Sequence, residues 1–173
     1  MKPKKEVPKA KFFTGIMYSD EDTYQKAVKE LVKKFGKIEH ESHEYDFTDF
    51  TTYYEDEMGD NIKKKFFVFK KLIARDKLAD IKLWTNALEN KFSKLNKRKI
   101  NLDPGYFTMH NLVLASAKDR AHKIYLKKGI YADLTLLFGK NSCQHMPHTF
   151  KDFKTKEVQE FFCRIRNLSK KEL

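Results

Sequence analysis

The chain has 173 residues, 40% of them hydrophobic, with 15 Phe and 8 Tyr. That length fits one domain with one sizeable core, and that aromatic content excludes a disordered chain. The net charge of +12 and the pI of about 9.5 favour polyanionic partners, and no apolar run is long enough to cross a bilayer as a helix.

Residues 1–10, with Pro3 and Pro8, read as a flexible basic arm ahead of a single domain over 11–173. The arm lacks the apolar stretch of a signal peptide. Cys143 and Cys163 are too few and too isolated for a disulfide framework or a zinc knuckle, so the expected location is the cytoplasm. Phe12 to Tyr18 is an apolar strand, closed by Ser19 and Asp22 in a capping-box-like pattern. Tyr24, Ala27, Val28, Leu31, Val32 and Phe35 then recur at helical spacing, with Gly36 as the stop. Ile38 to Phe47 reads as a charged strand near an edge, Phe50 to Asn61 as a loop, and Lys64 to Leu72 as a third strand.

A second helix is expected from about Asp76 to Leu95, burying Leu78, Ile81, Trp84, Leu88, Phe92 and Leu95. Lys99 to Leu102 is a fourth strand, stopped by a turn at Asp103-Pro104-Gly105. In Met109 to Ala117 the spacing suits both helix and strand, and a short helix is the expectation. Lys123 to Leu126 and Ile130 to Phe138 form a hairpin around KKG, the second arm alternating cleanly. After a loop over 141–154, a last helix starts near Thr155 and buries Val158, Phe161, Phe162, Ile165 and Leu168. The first six elements run β-α-β-β-α-β. The expected fold is therefore α+β: a ferredoxin-like core, mostly antiparallel, extended by the hairpin and final helix. Such a sheet places its first and third strands in the centre, and those are the most continuously apolar runs.

Charge is unevenly distributed. Between Glu39 and Asp60 stand nine carboxylates and no Lys or Arg. This stretch could take a divalent cation around Tyr53, Tyr54, Glu55 and Glu57, but it has no EF-hand spacing; pairing with Lys63 to Lys65 is the favoured reading. Only five of the basic residues are Arg, the residue best suited to bidentate phosphate contacts.

Four stretches, FTTYYEDEMG (50–59), ADIKLWTN (79–86), NLDPGY (101–106) and KDRAHKIYL-KKG-IYADLTLLF (118–138), together with PKAKFFTGIMYSDE near the start, carry a resemblance. They are similar to the bacterial and archaeal family known as domain of unknown function 4416, with Asp-Pro-Gly-Tyr as its hallmark. The resemblance covers nearly the whole chain and brings no established activity. Some relatives carry a GTP-binding label, yet this chain has no P-loop. Its Gly-Lys pairs at Gly36 and Gly139 are followed by Ile38 and Asn141, and Leu31 and Leu134 stand where the first glycine is required.

Polar residues that break the apolar periodicity supply the candidate site. Asp103, Asp119 and His122 are candidates for acid–base work, with Asp119 placed to orient the His122 imidazole. Lys82, Thr85 and Asn86, off the apolar stripe of their helix, and Tyr106, Tyr125, Tyr131 and Asp133 are candidates for ligand contacts. No residue set has the spacing of a metal motif. His40 and His43 fall on opposite faces of a strand, and His145-x-x-His148 has no third ligand nearby in sequence. The cofactor stays open: there is no P-loop for a nucleotide, and a divalent metal has room here but no motif. The first functional reading is a domain that binds a small anionic ligand or nucleotide, with room for enzymatic action on it. The second is a basic nucleic-acid-binding module, and the third a protein-interaction scaffold.

Overall fold

A computed structural model describes residues 6–51, 54–93, 97–140 and 142–173. The strands are β1 (Lys9–Tyr18), β2 (Ile38–Glu41), β3 (Tyr45–Asp46), β4 (Lys63–Ala74), β5 (Ile100–Phe107), β6 (Asn111–Ser116), β7 (Lys123–Lys127), β8 (Ile130–Phe138) and β9 (Cys143–His145). The helices are α1 (Glu21–Phe35), the single turn α2 (Glu55–Met58), α3 (Leu78–Lys91) and α4 (Lys156–Leu168). One sheet runs β2-β4-β1-β5-β6-β8-β7, with β3 added to β4 and β9 to β8, and every described pairing is antiparallel. The protein is thus α+β with a mostly antiparallel sheet.

The apolar run of β1 reflects burial on both faces. Phe12, Ile16 and Tyr18 pack with α1 and α3, while Phe13 packs with Phe162 and Ile165 of α4. The α1 cap is Asp20, which accepts from the Thr23 amide at 2.8 Å; Ser19, expected to cap, instead donates to the Met58 carbonyl at 2.5 Å. The charged second strand divides into β2 and β3, both on β4. β1 begins at Lys9, inside the segment read as an arm, and Ala10 is buried; residues 1–5 lie outside the described residues.

Three expectations need correction. Asp103–Tyr106 is not a turn: it lies inside β5, paired with β1. The described β6 ladder reaches β5 only from Gly105 to Phe107, so Pro104, which lacks an amide donor, falls where β5 loses its second neighbour. Gly105 serves close packing, not positive φ. A Cβ there would lie 2.5 Å from the Val113 carbonyl oxygen and 2.6 Å from Phe13 Cζ. Next, 109–117 holds the strand β6 and no helix, because Leu112 and Leu114 face the α4 core while Val113 and Ala115 face α3. Finally, Leu168 is exposed, and α4 buries Arg166 instead, whose guanidinium donates to the Gly139 carbonyl at 2.8 Å. The sequence also gave no sign of β9. The predicted hairpin is present, turning at Lys128 (φ 52°) and Gly129 (φ 74°), the positive pair a tight hairpin turn requires. Leu95 lies outside the described residues.

Several carboxylates of the acidic island are ion-paired. Glu41 meets Lys65 at 3.2 Å, Glu44 meets Lys63 at 3.0 Å and accepts from the Tyr18 hydroxyl, and Glu57 grips Arg98. Lys64 goes elsewhere. Its ammonium is buried on Asp152 at 2.7 Å, beside the Tyr45 hydroxyl, which donates to the same oxygen at 3.0 Å. Phe47, Phe66 and Phe153 surround that ammonium at 4.7, 5.3 and 5.6 Å. Burial, followed by the Asp152 charge, pushes the Tyr45 hydroxyl far above its ordinary pKa. This enclosed knot pins the chain ahead of α4 to the sheet.

Candidate functional site

The ten residues singled out by sequence separate into two groups. The first belongs to α3 and β5, and its Lys82 and Asp103 meet where β6 diverges from β5. Lys82 is buried beneath the sheet, and its ammonium donates to the Leu102 carbonyl at 2.7 Å while lying 3.8 Å from Asp103. Thr85 is fully buried, its hydroxyl donating to the Lys82 carbonyl at 2.9 Å. Asn86 is half-buried on the same helix. Lys82 and Thr85 therefore do not occupy a solvated face: with Glu89 they form a polar stripe on the buried side of α3. Glu89 accepts from the Leu102 amide at 2.7 Å and from Arg98 at 3.2 Å, and burial raises its pKa against the opposing pull of Lys82. Tyr106 is half-buried with the Arg75 guanidinium 6.0 Å above its ring, and burial raises its hydroxyl pKa. The bonds of Lys82, Thr85 and Glu89 are all internal to the fold.

The second group belongs to the β7–β8 hairpin and its lead-in. Asp133 is buried on β8, opposite Lys123 of β7 and Leu114 of β6, on the sheet face away from α3. Lys123 Nζ bonds Asp133 Oδ2 at 3.2 Å and donates to the Ser116 hydroxyl at 2.7 Å. His122 Nε2 lies 3.8 Å from Oδ2, and His148 Nε2 lies 3.7 Å from Oδ1. The two imidazoles stack with centroids 3.9 Å apart and planes 17° apart. Both rings are partly open to solvent, at 30% and 21% exposure, so the cluster can be reached from outside.

The carboxylate beside His122 is thus Asp133, not Asp119. Asp119 stands with the Tyr131 hydroxyl, whose pKa is raised by desolvation and by that carboxylate. Tyr125 is exposed on the edge strand, edge-on to Tyr131 at 5.4 Å.

Sequence reasoning missed His148, Lys123 and Ser116. In sequence His148 stands nearest His145. In the fold, His145 is exposed beside the Met146 carbonyl, whereas His148 Nε2 reaches the Leu134 carbonyl at 3.0 Å. Its neighbour Thr149 fixes the approach, donating to the Thr135 carbonyl at 2.6 Å and accepting from the Met146 amide at 2.9 Å. The three clustered side chains come from separate segments, so no spacing rule would have joined them. Among the described residues, His122, Asp133 and His148 form the one group of three whose ligand atoms all lie within 4.8 Å of one another. Around Tyr54, Glu55 and Glu57 no such group occurs among the described residues, and Tyr53 lies outside them.

Fold and cluster together define an α+β protein with an antiparallel sheet and a solvent-accessible His–Asp–His cluster at its β7–β8 end. No helix among the described residues is long and apolar enough to cross a membrane. The chain belongs to the family described as Domain of unknown function (DUF4416), whose model matches residues 8–168, nearly the whole chain. No curated protein and no solved structure matches it.

Proposed function

We propose that this chain is a cytoplasmic small-ligand-binding domain and that its ligand, anionic or phosphorylated, binds at His122, Lys123, Asp133 and His148. One observation carries the reading: two accessible imidazoles and an ammonium converge on one buried carboxylate. Lys123 and Asp133 offset each other, which leaves the imidazoles to receive a ligand's negative charge or to exchange a proton with it. The Ser116 hydroxyl adds a hydrogen-bonding group at the same place. The order β2-β4-β1-β5, with helical crossovers α1 and α3, supports reading the first half as a ferredoxin-like core, to which the hairpin adds the site.

The competing nucleic-acid reading draws on the net charge of +12. It gains no stacking surface from the central strands, because Phe13, Phe66 and Phe107 are buried. A thermal-shift panel of phosphosugars, nucleotides and short RNA, in EDTA and at two salt concentrations, separates the two. The proposal expects a small phosphorylated compound to raise the melting temperature at both salts, and His122→Ala to remove that rise. A rise with RNA alone, lost at high salt, contradicts it.

A further inference from the structure

We infer that His122, Asp133 and His148 form a binding centre for a divalent transition-metal ion. The inference rests on reading this cluster as the ligand site, and it adds the chemistry that would recognise an anion there. Two imidazoles and one carboxylate are a nitrogen-rich donor set of borderline softness. It suits Mn²⁺, Fe²⁺, Co²⁺, Ni²⁺ or Zn²⁺ better than Mg²⁺ or Ca²⁺, and three protein ligands leave coordination positions open for an anionic oxygen.

The distances point the same way. His122 Nε2 lies 3.8 Å from one oxygen of Asp133 and His148 Nε2 lies 3.7 Å from the other, both too far for a hydrogen bond. Ligands bound at about 2.1 Å to a shared ion stand roughly 3.0 to 3.4 Å apart. With planes 17° apart the ring stack must open so that both Nε2 lone pairs converge on the ion, starting from ligand atoms all within 4.8 Å of one another. His148 Nε2 now faces the Leu134 carbonyl at 3.0 Å; on coordination its proton resides on Nδ1 and Nε2 gives its lone pair to the ion.

Lys123 tunes the site. Its ammonium sits on Asp133 Oδ2 at 3.2 Å, so it leaves Oδ1 as the free donor and opposes the added positive charge. Lys123→Met should then tighten metal binding several-fold, whereas a purely structural lysine would leave affinity unchanged or weaken it with the fold.

The test uses the full chain, freed of metal with EDTA and dialysed, titrated with Co²⁺ alone by absorption spectroscopy and with Zn²⁺ by calorimetry. One ion per chain is expected. His148→Ala, His122→Asn and Asp133→Asn should each weaken it by more than about a hundredfold, beyond the effect of losing an outer partner. His145→Ala, exposed and outside the cluster, should bind as the parent does. Circular dichroism confirms that each variant is folded, and His148→Gln replaces any variant that is not. Absence of saturable one-to-one binding, or binding that all three substitutions leave intact, overturns the inference. Pyrophosphate binding measured in EDTA reports on the ligand reading separately. If pyrophosphate binds at the cluster and the metals do not, the ligand reading stands and the metal centre falls.

Discussion

Lys82 and Glu89, two turns apart on α3, bind the same residue of β5: the lysine takes the Leu102 carbonyl and the glutamate takes its amide. In a continuous sheet a neighbouring strand would satisfy both groups. Here the β6 ladder stops at Gly105, and helix side chains stand in for the missing strand. Glu89→Ala should therefore cost about 3 kcal/mol, since it leaves an amide unsatisfied and Lys82 and Arg98 without their buried counter-charge. Lys82→Met should cost about 2 kcal/mol, and Glu89→Gln less than half of the alanine effect because its amide oxygen can still accept. Urea unfolding measures all three; equal losses for Gln and Ala would contradict the account.

Gly105→Ala tests what the Asp-Pro-Gly-Tyr element is for. In a turn the methyl would be cheap, but in β5 it meets the Val113 carbonyl oxygen at 2.5 Å. A backbone oxygen cannot rotate away, so the variant should lose about 3 kcal/mol or more, at the top of the overpacking range. A loss under about 1 kcal/mol would fit a surface turn instead.

These two cases mark how far the sequence could be read. β1 and β4 were legible as short continuous apolar runs buried on both faces, and α1 because its helical period coincides with its buried face. Pro104-Gly105 misled because its composition is that of a turn, while its tolerance in β5 depends on where the β6 ladder ends, a tertiary fact. Lys82 and Thr85 misled for a related reason: the lysine bonds the neighbouring strand β5 and the threonine bonds the carbonyl of Lys82 in its own helix, so both are satisfied on a buried face from which an apolar periodicity excludes them. In the site, His122 and Asp133 were visible on a conspicuous hairpin. His148 was not, since its role is set by β9 and the Thr149–Thr135 bond.

Acid should loosen the link between α2 and the β5 lead-in. The Arg98 bond holds the Glu57 carboxyl below its ordinary value of 4.5, against the upward effect of partial burial. With the folded pKa lowered, the stabilisation is complete above the ordinary value and is lost as pH falls through the folded one. Wild-type protein should melt higher than Glu57→Gln at pH 7, and the gap should close as the pH falls below 4.5 and through the lowered folded value. A gap that widens on acidification would have the wrong sign. Salt should narrow it at any pH, because Glu57 is partly exposed.

The two thiols offer a check on the β9–α4 contact. Burial, then a hydrogen bond with Cys163, pushes the Cys143 thiol well above its ordinary pKa of 9.0. Thiolate is the reactive form, so iodoacetamide at pH 8 should label Cys143 far more slowly in the folded protein than in urea. Equal rates would mean that β9 does not pack against α4.

The central claim is that a ligand binds at His122, Asp133 and His148, and imidazole-detected proton–nitrogen spectra recorded during a pyrophosphate titration in EDTA test it most directly. The account predicts saturable shifts, largest in the His122 and His148 ring signals and in the amides around Ser116, Lys123 and Asp133, and retained when salt is raised. Shifts that centre on Lys82 and Asp103, or that spread over surface lysines and vanish with salt, would contradict it.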